Sequence, residues 1–262
     1  MAPSHRLLDR RALGSAFNNG FDFDTVDGAR DLPYSFPNVR LEYVQHEPKG
    51  VRTAFWRSVG PSHNIFMVEC FIDELAAAAK KDPVQYRKAL LNKSPRAKAV
   101  LKLAAEKAGW GQALPKRSGR GVSLQTTFGS FMAQVAEVEV STQGDVRVKR
   151  ITCAVDCGIA VDPNTIEAQI QSAIIYGLTA ALYGEITLKD GRVEQGNFDS
   201  YRALRMNEVP AIDVHILPSN EDPGGMGEPG TSGLAPAVVN AIFAATGARL
   251  RKLPIDTNEL KA

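Results

Sequence analysis

Half of the residues from Gly224 to Gly233 are glycines, and one carboxylate, Glu228, lies among them. A backbone without side chains can approach a ligand closely, and it leaves several N–H donors unshielded. The segment leads into a predicted helix near Ala235, whose first turn has unpaired N–H groups and the positive end of the helix dipole. This pattern favours a binding loop for an anionic group with a base beside it. A surface turn with a solvated glutamate is the alternative.

Three of these glycines, Gly225, Gly227 and Gly230, also match the G-x-G-x-x-G pattern of dinucleotide-binding sites. That pattern is informative only where a strand passes directly into a helix. Here Pro229 interrupts the turn, and the helix is predicted to begin only after Leu234. A nicotinamide-dependent dehydrogenase is therefore disfavoured.

Hydrophobic periodicity divides the chain into an irregular or extended lead-in over residues 1–50, a helical segment over residues 51–120 and an α+β region over residues 121–262. Helices are predicted over residues 64–80, from Asp82-Pro83 to residue 91, from Ser94-Pro95 to a stop at Gly109, and over residues 165–182 and 235–245. The other predictions are a β-hairpin over residues 131–155 that turns at Gln143-Gly144, a tight turn at Lys189-Asp190-Gly191, and strands over residues 213–217 and 249–255. Because this order lacks strict β-α-β alternation, we expect an α+β fold with mixed sheets and packed helices.

Charge and composition narrow the classes of partner. Thirty-one basic and 29 acidic residues give a net charge of +2, which offers no electrostatic ground for a nucleic-acid or membrane-surface partner. No apolar run reaches the roughly 20 residues of a membrane-spanning helix, and the polar, basic residues 1–11 do not predict a secretory signal. Cys70, Cys153 and Cys157 have neither paired spacing nor a histidine cluster nearby, so a zinc site or a disulfide framework is disfavoured.

Several short segments, each weak alone, occur together in the order of one enzyme family. They are Trp56-Arg57-Ser58-Val59-Gly60, Asn64-Ile65-Phe66, Glu69, Phe71-Ile72-Asp73-Glu74-Leu75-Ala76, Val155-Asp156-Cys157-Gly158, Gln169, Asn197-Phe198-Asp199-Ser200-Tyr201, Gly227-Glu228-Pro229-Gly230 and Pro236-Ala237-Val238-Val239-Asn240-Ala241. Over residues 28–256 the chain resembles the molybdenum-binding subunit of isoquinoline 1-oxidoreductase-type and aldehyde oxidoreductase enzymes of the xanthine oxidase family. The resemblance implies the C-terminal molybdopterin-binding domain of such a subunit.

The resemblance implies that Glu228 is the catalytic base, which takes a proton while oxygen from water is transferred to an electron-poor carbon. It also places Arg57, Gln169 and Gly227 at the cofactor. An ion pair with a carboxylate is the alternative for the Arg57 side chain, and a solvent-facing position is the alternative for Gln169. Ser172 stands where the family usually has a glycine, which argues against close backbone packing there.

Phe55, Trp56 and Val59 are implied to line the substrate pocket. Val59 stands where better-known relatives carry an aromatic ring that sandwiches a flat substrate, which argues against purine-like selectivity. Phe55 and Trp56 are candidates to supply ring contacts instead, although aromatic residues beside a helix usually belong to a core.

The implied cofactor is molybdopterin with molybdenum, in its cytosine dinucleotide form, without metal ligands from the protein. The glycine-glutamine-glycine segment that cradles the pterin in the family, and its hammerhead domain, are not found in this sequence. We therefore expect the remaining part of the molybdenum-binding subunit as a partner. Since the chain lacks a cysteine set for an iron–sulfur cluster, a separate two-iron, two-sulfur subunit is implied, with onward electron transfer to a cytochrome c.

The implied function is oxidation of an N-heteroaromatic or aldehyde substrate, with water as the oxygen source and electrons passed to the iron–sulfur subunit. The alternative is a non-catalytic assembly domain of such a complex. Relatives of this type are commonly periplasmic, whereas nothing in the chain itself argues against a cytoplasmic location.

Overall fold

The computed structural model describes residues 17–18, 21–44 and 54–262. Much of the predicted lead-in, and the first residues of the predicted helical segment, therefore lie outside the described residues. Those described before residue 45 form the two-residue strands β1 (Phe17–Asn18) and β2 (Phe21–Asp22), which pair with each other, and the one-turn helix α1 (Phe23–Val26). Turns and irregular backbone follow as far as residue 44.

The three predicted N-terminal helices are confirmed, and each has a proline in its first turn. They are α2 (Pro61–Ala78), α3 (Pro83–Leu90) and α4 (Pro95–Lys107). Proline favours this position because its fixed φ suits the helix and its missing N–H would have no helical partner there. The Asp82 carboxylate also accepts a hydrogen bond from the Gln85 N–H at 2.8 Å, as expected of an N-cap.

A four-stranded mixed sheet forms the centre of the structure. Its strands lie in the order β3 (Ser118–Thr127), β4 (Ser130–Val140), β5 (Val146–Asp156) and β8 (Ala211–Ile216). The predicted hairpin is the antiparallel pair β4–β5, and the predicted strand near residue 213 is β8, which pairs parallel to β5. Strand β3 was not predicted. Between β5 and β8 the chain forms α5 (Pro163–Leu182) and the small hairpin β6 (Leu188–Lys189) and β7 (Arg192–Val193), which turns where predicted.

The glycine-rich loop ends in the short helix α6 (Pro229–Ser232), which is followed by α7 (Leu234–Thr246). Helix α7 confirms the last predicted helix, and it packs directly on β3. A side chain at Gly121 would collide with the backbone of Ala237 and Ala241, so only glycine allows the helix to lie this close to the strand. Small residues recur on this face of β3, and Gly119 also lies against the backbone of α7.

The prediction of a final strand over residues 249–255 is wrong. The segment has no strand partner, and the chain ends in a 3-10 helix, Thr257–Leu260. The side chains of Leu250 and Ile255 are buried in the core, and the Ile255 N–H donates to the Ala181 carbonyl at the end of α5 at 2.9 Å. Apolar residues here cover helices instead of joining the sheet, so the β-like composition was misleading.

Apolar side chains cover both faces of the central sheet, which confirms an α+β fold with mixed sheet and packed helices. Helices α2, α3 and α4 share one buried cluster with Val122, Leu124 and Val135. Helices α5 and α7 share the other with Met132, Val138, Ile151 and Val155. Strand residues alternate between the two clusters, as the two-residue period of a strand requires.

A buried charge network fixes α2 against the sheet. Glu69 and Arg87 are both fully buried, and the Arg87 Nε atom donates to the Glu69 carboxylate at 3.0 Å. The same carboxylate accepts from the Tyr34 hydroxyl at 2.7 Å and from the Leu124 N–H on β3 at 2.8 Å. Asp73, one turn further along α2, pairs with Arg249 at 2.7 Å. Glu69, Asp73 and Arg87 therefore each have a partner of opposite sign.

Replacing Glu69 by Ala is expected to lower the free energy of unfolding by about 3 kcal/mol, because the buried Arg87 guanidinium then keeps Asp73, at 3.5 Å, as its one carboxylate partner among the described residues. Urea denaturation followed by circular dichroism measures the loss. The matched control is Glu74→Ala on the same helix, which removes the surface pair with Arg251 and should cost less than about 1 kcal/mol. Equal losses in the two variants would contradict a stabilising role for the buried network.

Candidate functional site

Buried polar side chains of β3 and β4 hold the glycine-rich loop through its carbonyl oxygens. Four of them donate: Ser123 to Gly233 at 2.6 Å, Gln125 to Pro229, Ser130 to Gly225 at 3.0 Å, and Gln134 to Gly230 at 2.9 Å. All four side chains are almost completely inaccessible to solvent. Because a buried donor without a partner is costly, these bonds hold the loop in a single position. Sequence reasoning missed these residues.

The loop also lies against α5 with no space between the backbones. A Cβ atom at Gly230 would lie 2.7 Å from the Cβ atom of Ala173, and one at Gly177 would lie 2.9 Å from the Thr231 carbonyl oxygen. Close packing of α6 on α5 is thus present although Ser172 replaces the expected glycine. The small residues that allow it lie at other positions.

Arg57 joins the loop to α5. Its Nε and Nη2 atoms donate to the Gly227 carbonyl at 3.0 and 2.6 Å, Nη1 donates to Ser172 Oγ at 3.1 Å, and Nη2 donates to Gln169 Oε1 at 3.1 Å. The structure therefore brings together the three residues predicted to bind the cofactor, Arg57, Gln169 and Gly227. These acceptors are all neutral, and no carboxylate among the described residues forms an ion pair with Arg57.

The Glu228 carboxylate lies at the start of α6 and meets the turn that follows Arg57. Its Oε2 atom accepts a hydrogen bond from the Ser58 N–H at 2.5 Å, and the residue is half-buried. Ser58 and Val59 both have positive φ angles, of 81° and 51°, which is unusual for residues with side chains and especially for a β-branched one. This turn presents the Ser58 N–H to the carboxylate. Within the described part of the chain, Glu228 Oε1 has no hydrogen-bond partner.

An aromatic pocket lined by Trp56, Ser172, Tyr176 and Tyr201 lies beside Arg57. The rings of Trp56 and Tyr176 have centroids 5.0 Å apart, and the Arg57 guanidinium carbon lies 5.8 Å from the Tyr176 centroid. Burial, and next the nearby Tyr201, raise the pKa of Tyr176 above its ordinary value. Of the three residues predicted for the substrate pocket, Trp56 lines this cavity, whereas Phe55 and Val59 do not.

The segment Asp156-Cys157-Gly158 forms a turn at the end of β5 that contacts the glycine-rich loop. The Cys157 carbonyl accepts a hydrogen bond from the Gly224 N–H at 2.8 Å. The Arg96 guanidinium binds Asp156 through two hydrogen bonds of 2.7 Å, and this pair holds the pKa of the Asp156 carboxyl below its usual range. The turn is therefore a support for the loop.

The described residues contain no group of three or more histidine, cysteine, aspartate or glutamate side chains arranged to hold a metal ion. None of the helices seen in residues 17–18, 21–44 and 54–262 is both long enough and apolar enough to cross a membrane.

Comparison with known proteins gives consistent matches. A family model described as a molybdopterin cofactor-binding domain matches residues 66–210. The membrane-bound aldehyde dehydrogenase [pyrroloquinoline-quinone] of Gluconacetobacter polyoxogenes is 38% identical over 79% of this chain. The isoquinoline 1-oxidoreductase subunit beta of Brevundimonas diminuta is 32% identical over 86% of it. The chain spans 29% of the length of each of these relatives.

Solved structures share the fold. The quinoline 2-oxidoreductase of Pseudomonas putida 86 superposes with a TM-score of 0.71 at 12% identity. The match covers 79% of this chain and 52% of the other. At this identity the comparison bears on the fold alone, and it confirms the expected architecture.

Two alanine substitutions in the loop should differ in their effect on stability, because Gly230 is tightly packed and Gly227 is open. Gly230→Ala places a methyl group against Ala173 and should lower the free energy of unfolding by about 1–3 kcal/mol. Gly227→Ala meets nothing within 4 Å and should change it by less than about 0.5 kcal/mol. Chemical denaturation of both variants is the measurement. A Gly230→Ala variant as stable as Gly227→Ala would show that α6 does not pack on α5 in this way.

Proposed function

Because the chain belongs to the molybdopterin cofactor-binding domain family, we propose that it forms the active-site part of a molybdenum hydroxylase in which Glu228 is the catalytic base. The substrate is an N-heteroaromatic compound or an aldehyde, and water is the oxygen source. The observation that carries the proposal is the half-buried Glu228 carboxylate, which is held by the Ser58 N–H beside the loop that Arg57 clamps.

The residues at the loop fit an anionic cofactor. Arg57 has only neutral acceptors among the described residues, so its charge is available to an anion nearby. The backbone at Gly227 is open, since even an added Cβ would meet nothing within 4 Å. We propose that Arg57, Gln169 and Gly227 hold molybdopterin in its cytosine dinucleotide form. When bound, this cofactor supplies the redox centre that accepts two electrons from the substrate.

Glu228 supplies the proton acceptor. Conversion of R–H and water to R–OH releases two protons and two electrons, and a base near the reacting carbon lowers the barrier to the first proton transfer. Glu228 Oε2 is occupied by the Ser58 N–H, so Oε1 is the atom that takes the proton. The hydrogen bond fixes the carboxylate in one orientation, which reduces the reorganisation needed during reaction.

The partners follow from the same proposal. The remaining part of the molybdenum-binding subunit completes the cofactor site, a two-iron, two-sulfur subunit accepts the electrons, and a cytochrome c receives them in turn. The relative from Brevundimonas diminuta is named a subunit beta, which supports an assembly of several chains. A periplasmic location would match the enzymes that this chain resembles.

A non-catalytic assembly domain is the second candidate. The replacement of the family's usual glycine by Ser172 favours it, because a changed residue in direct contact with Arg57 lies within the proposed cofactor site. The two candidates differ in what they require of Glu228, since an assembly domain has no use for a proton acceptor.

Replacing Glu228 by Gln in the complete complex should reduce kcat by about 10²- to 10⁴-fold. Glutamine keeps an oxygen that accepts from the Ser58 N–H, so the site should keep its shape while it loses the base. Steady-state turnover and molybdenum content are measured together. Glu221→Gln, an exposed carboxylate earlier in the same loop, is the matched control and should leave turnover unchanged. Undiminished turnover in Glu228→Gln would favour the assembly domain.

The isolated 262-residue chain is expected to bind molybdenum cofactor poorly, because the pterin-cradling segment of the family is not in its sequence. Metal analysis of the purified chain should give far less than one molybdenum per chain. Near-stoichiometric molybdenum would refute this expectation. Since one relative is named for pyrroloquinoline quinone, the same sample should be assayed for that quinone, and its presence would contradict the proposed cofactor.

A further inference from the structure

The peptide group between Arg57 and Ser58 is held at both ends. Its N–H, on Ser58, donates to the Glu228 carboxylate at 2.5 Å, and its carbonyl, on Arg57, accepts from the Ser62 hydroxyl at 2.9 Å. Ser62 is the second residue of α2. We propose that Ser62 is a positioning residue, which keeps this peptide turned so that its N–H faces Glu228. That the orientation serves catalysis rests on the proposed function, whereas the hold on the peptide does not.

The backbone conformation here depends on contacts from outside the turn. Ser58 has a φ angle of 81° and Val59 has one of 51°, in the left-handed region that residues with a side chain rarely adopt. Such conformations persist only where the surrounding structure holds them. If the peptide turned over, the φ angle of Ser58 would become negative, and the Arg57 carbonyl would replace the N–H beside Glu228. Two oxygen atoms of the same partial charge would then face each other.

The Ser62 hydroxyl opposes this rotation. It binds the carbonyl while Glu228 binds the N–H, so a turn of the peptide breaks two hydrogen bonds together. Each bond also strengthens the other, because a donor at the carbonyl polarises the peptide and makes its N–H a better donor. Ser58 is fully buried, so water does not reach its N–H to replace a lost partner.

The start of α2 is itself fixed, which gives the hydroxyl a defined position. The buried side-chain amide of Asn64 donates to the carbonyls of Thr25 and Asp27, in and directly after α1, both at 2.7 Å. A Cβ atom at Gly60 would collide with the backbone of α1. The first turn of α2 is therefore anchored independently of Glu228, and Ser62 holds the peptide from a fixed point.

Nuclear magnetic resonance of the full chain observes this one peptide group without cofactor or turnover. The sequence has two Arg–Ser pairs, Arg57–Ser58 and Arg117–Ser118. Arginine labelled with carbon-13 at its carbonyl, combined with nitrogen-15 serine, therefore selects two amide signals. The Ser118 N–H donates to the Pro115 carbonyl at 3.1 Å and is the internal control. Ser118→Ala removes its own signal and so assigns the pair.

Removal of the Ser62 hydroxyl should loosen the peptide. In Ser62→Ala, hydrogen exchange of the Ser58 N–H should become about two- to tenfold faster, while that of the Ser118 N–H stays unchanged. Ser62→Thr keeps the hydroxyl and should exchange as slowly as the unmodified chain. Ser94→Ala is the matched control, because Ser94 also lies at the start of a helix and its side chain caps nothing there.

Turnover of the complete complex tests the catalytic part of the inference. Ser62→Ala should lower kcat by about two- to tenfold and leave KM nearly unchanged, because Ser62 acts through the position of the base. When it is combined with Glu228→Gln, it should cause no further loss of kcat. A residue that acts through Glu228 has no effect once the base is gone.

Two results would overturn the proposal. One is exchange of the Ser58 N–H that is no faster in Ser62→Ala than in Ser94→Ala. The other is a loss of kcat from Ser62→Ala that is equally large in the Glu228→Gln background. Failure of the proposed function has a different signature, since Glu228→Gln would then turn over normally while the Ser58 N–H still responds to Ser62→Ala.

Discussion

The site depends on side-chain donors that occupy the carbonyl oxygens of the glycine-rich loop. Gln125 and Gln134 reach the loop from the sheet, and Arg57 reaches it from the turn before α2. A segment with so many glycines has a large conformational entropy when free, so external contacts must fix it. The donors are buried or clamped in place themselves. Glu228 is therefore presented by a rigid backbone although its own segment has little intrinsic preference for any shape.

The position of Arg57 depends on buried contacts of the helix that follows it. Arg57 and Ser58 immediately precede α2, and Glu69 on that helix is tied to the Leu124 N–H of β3 and to Arg87 of α3. The strand that receives Glu69 also carries Gln125, which holds the loop on its opposite face. The helix that follows Ser58 and the loop that carries Glu228 are thus both held by hydrogen bonds to β3. A buried charge network outside the loop therefore helps to set the geometry of the carboxylate.

The sequence predicted those helices and strands that are marked by a local pattern of residues. Prolines marked the starts of three helices, and alternation marked the β4–β5 hairpin. Strand β3 was not predicted because Val122 and Leu124 are its only large apolar residues, while its other face carries glycine, serine and glutamine residues that contact α7 and the loop. The error at residues 249–255 has the converse cause, because apolar residues there pack on helices. The period-2 series Gly119, Gly121, Ser123 and Gln125 was the one available signal for the polar support of the loop.

The convergence of Arg57, Gln169 and Gly227 was expected from resemblance alone, because the three lie far apart in sequence and no local pattern connects them. The structure adds a reason for Ser172. Its hydroxyl accepts from Arg57, so a residue that departs from the family pattern became part of the clamp on the loop.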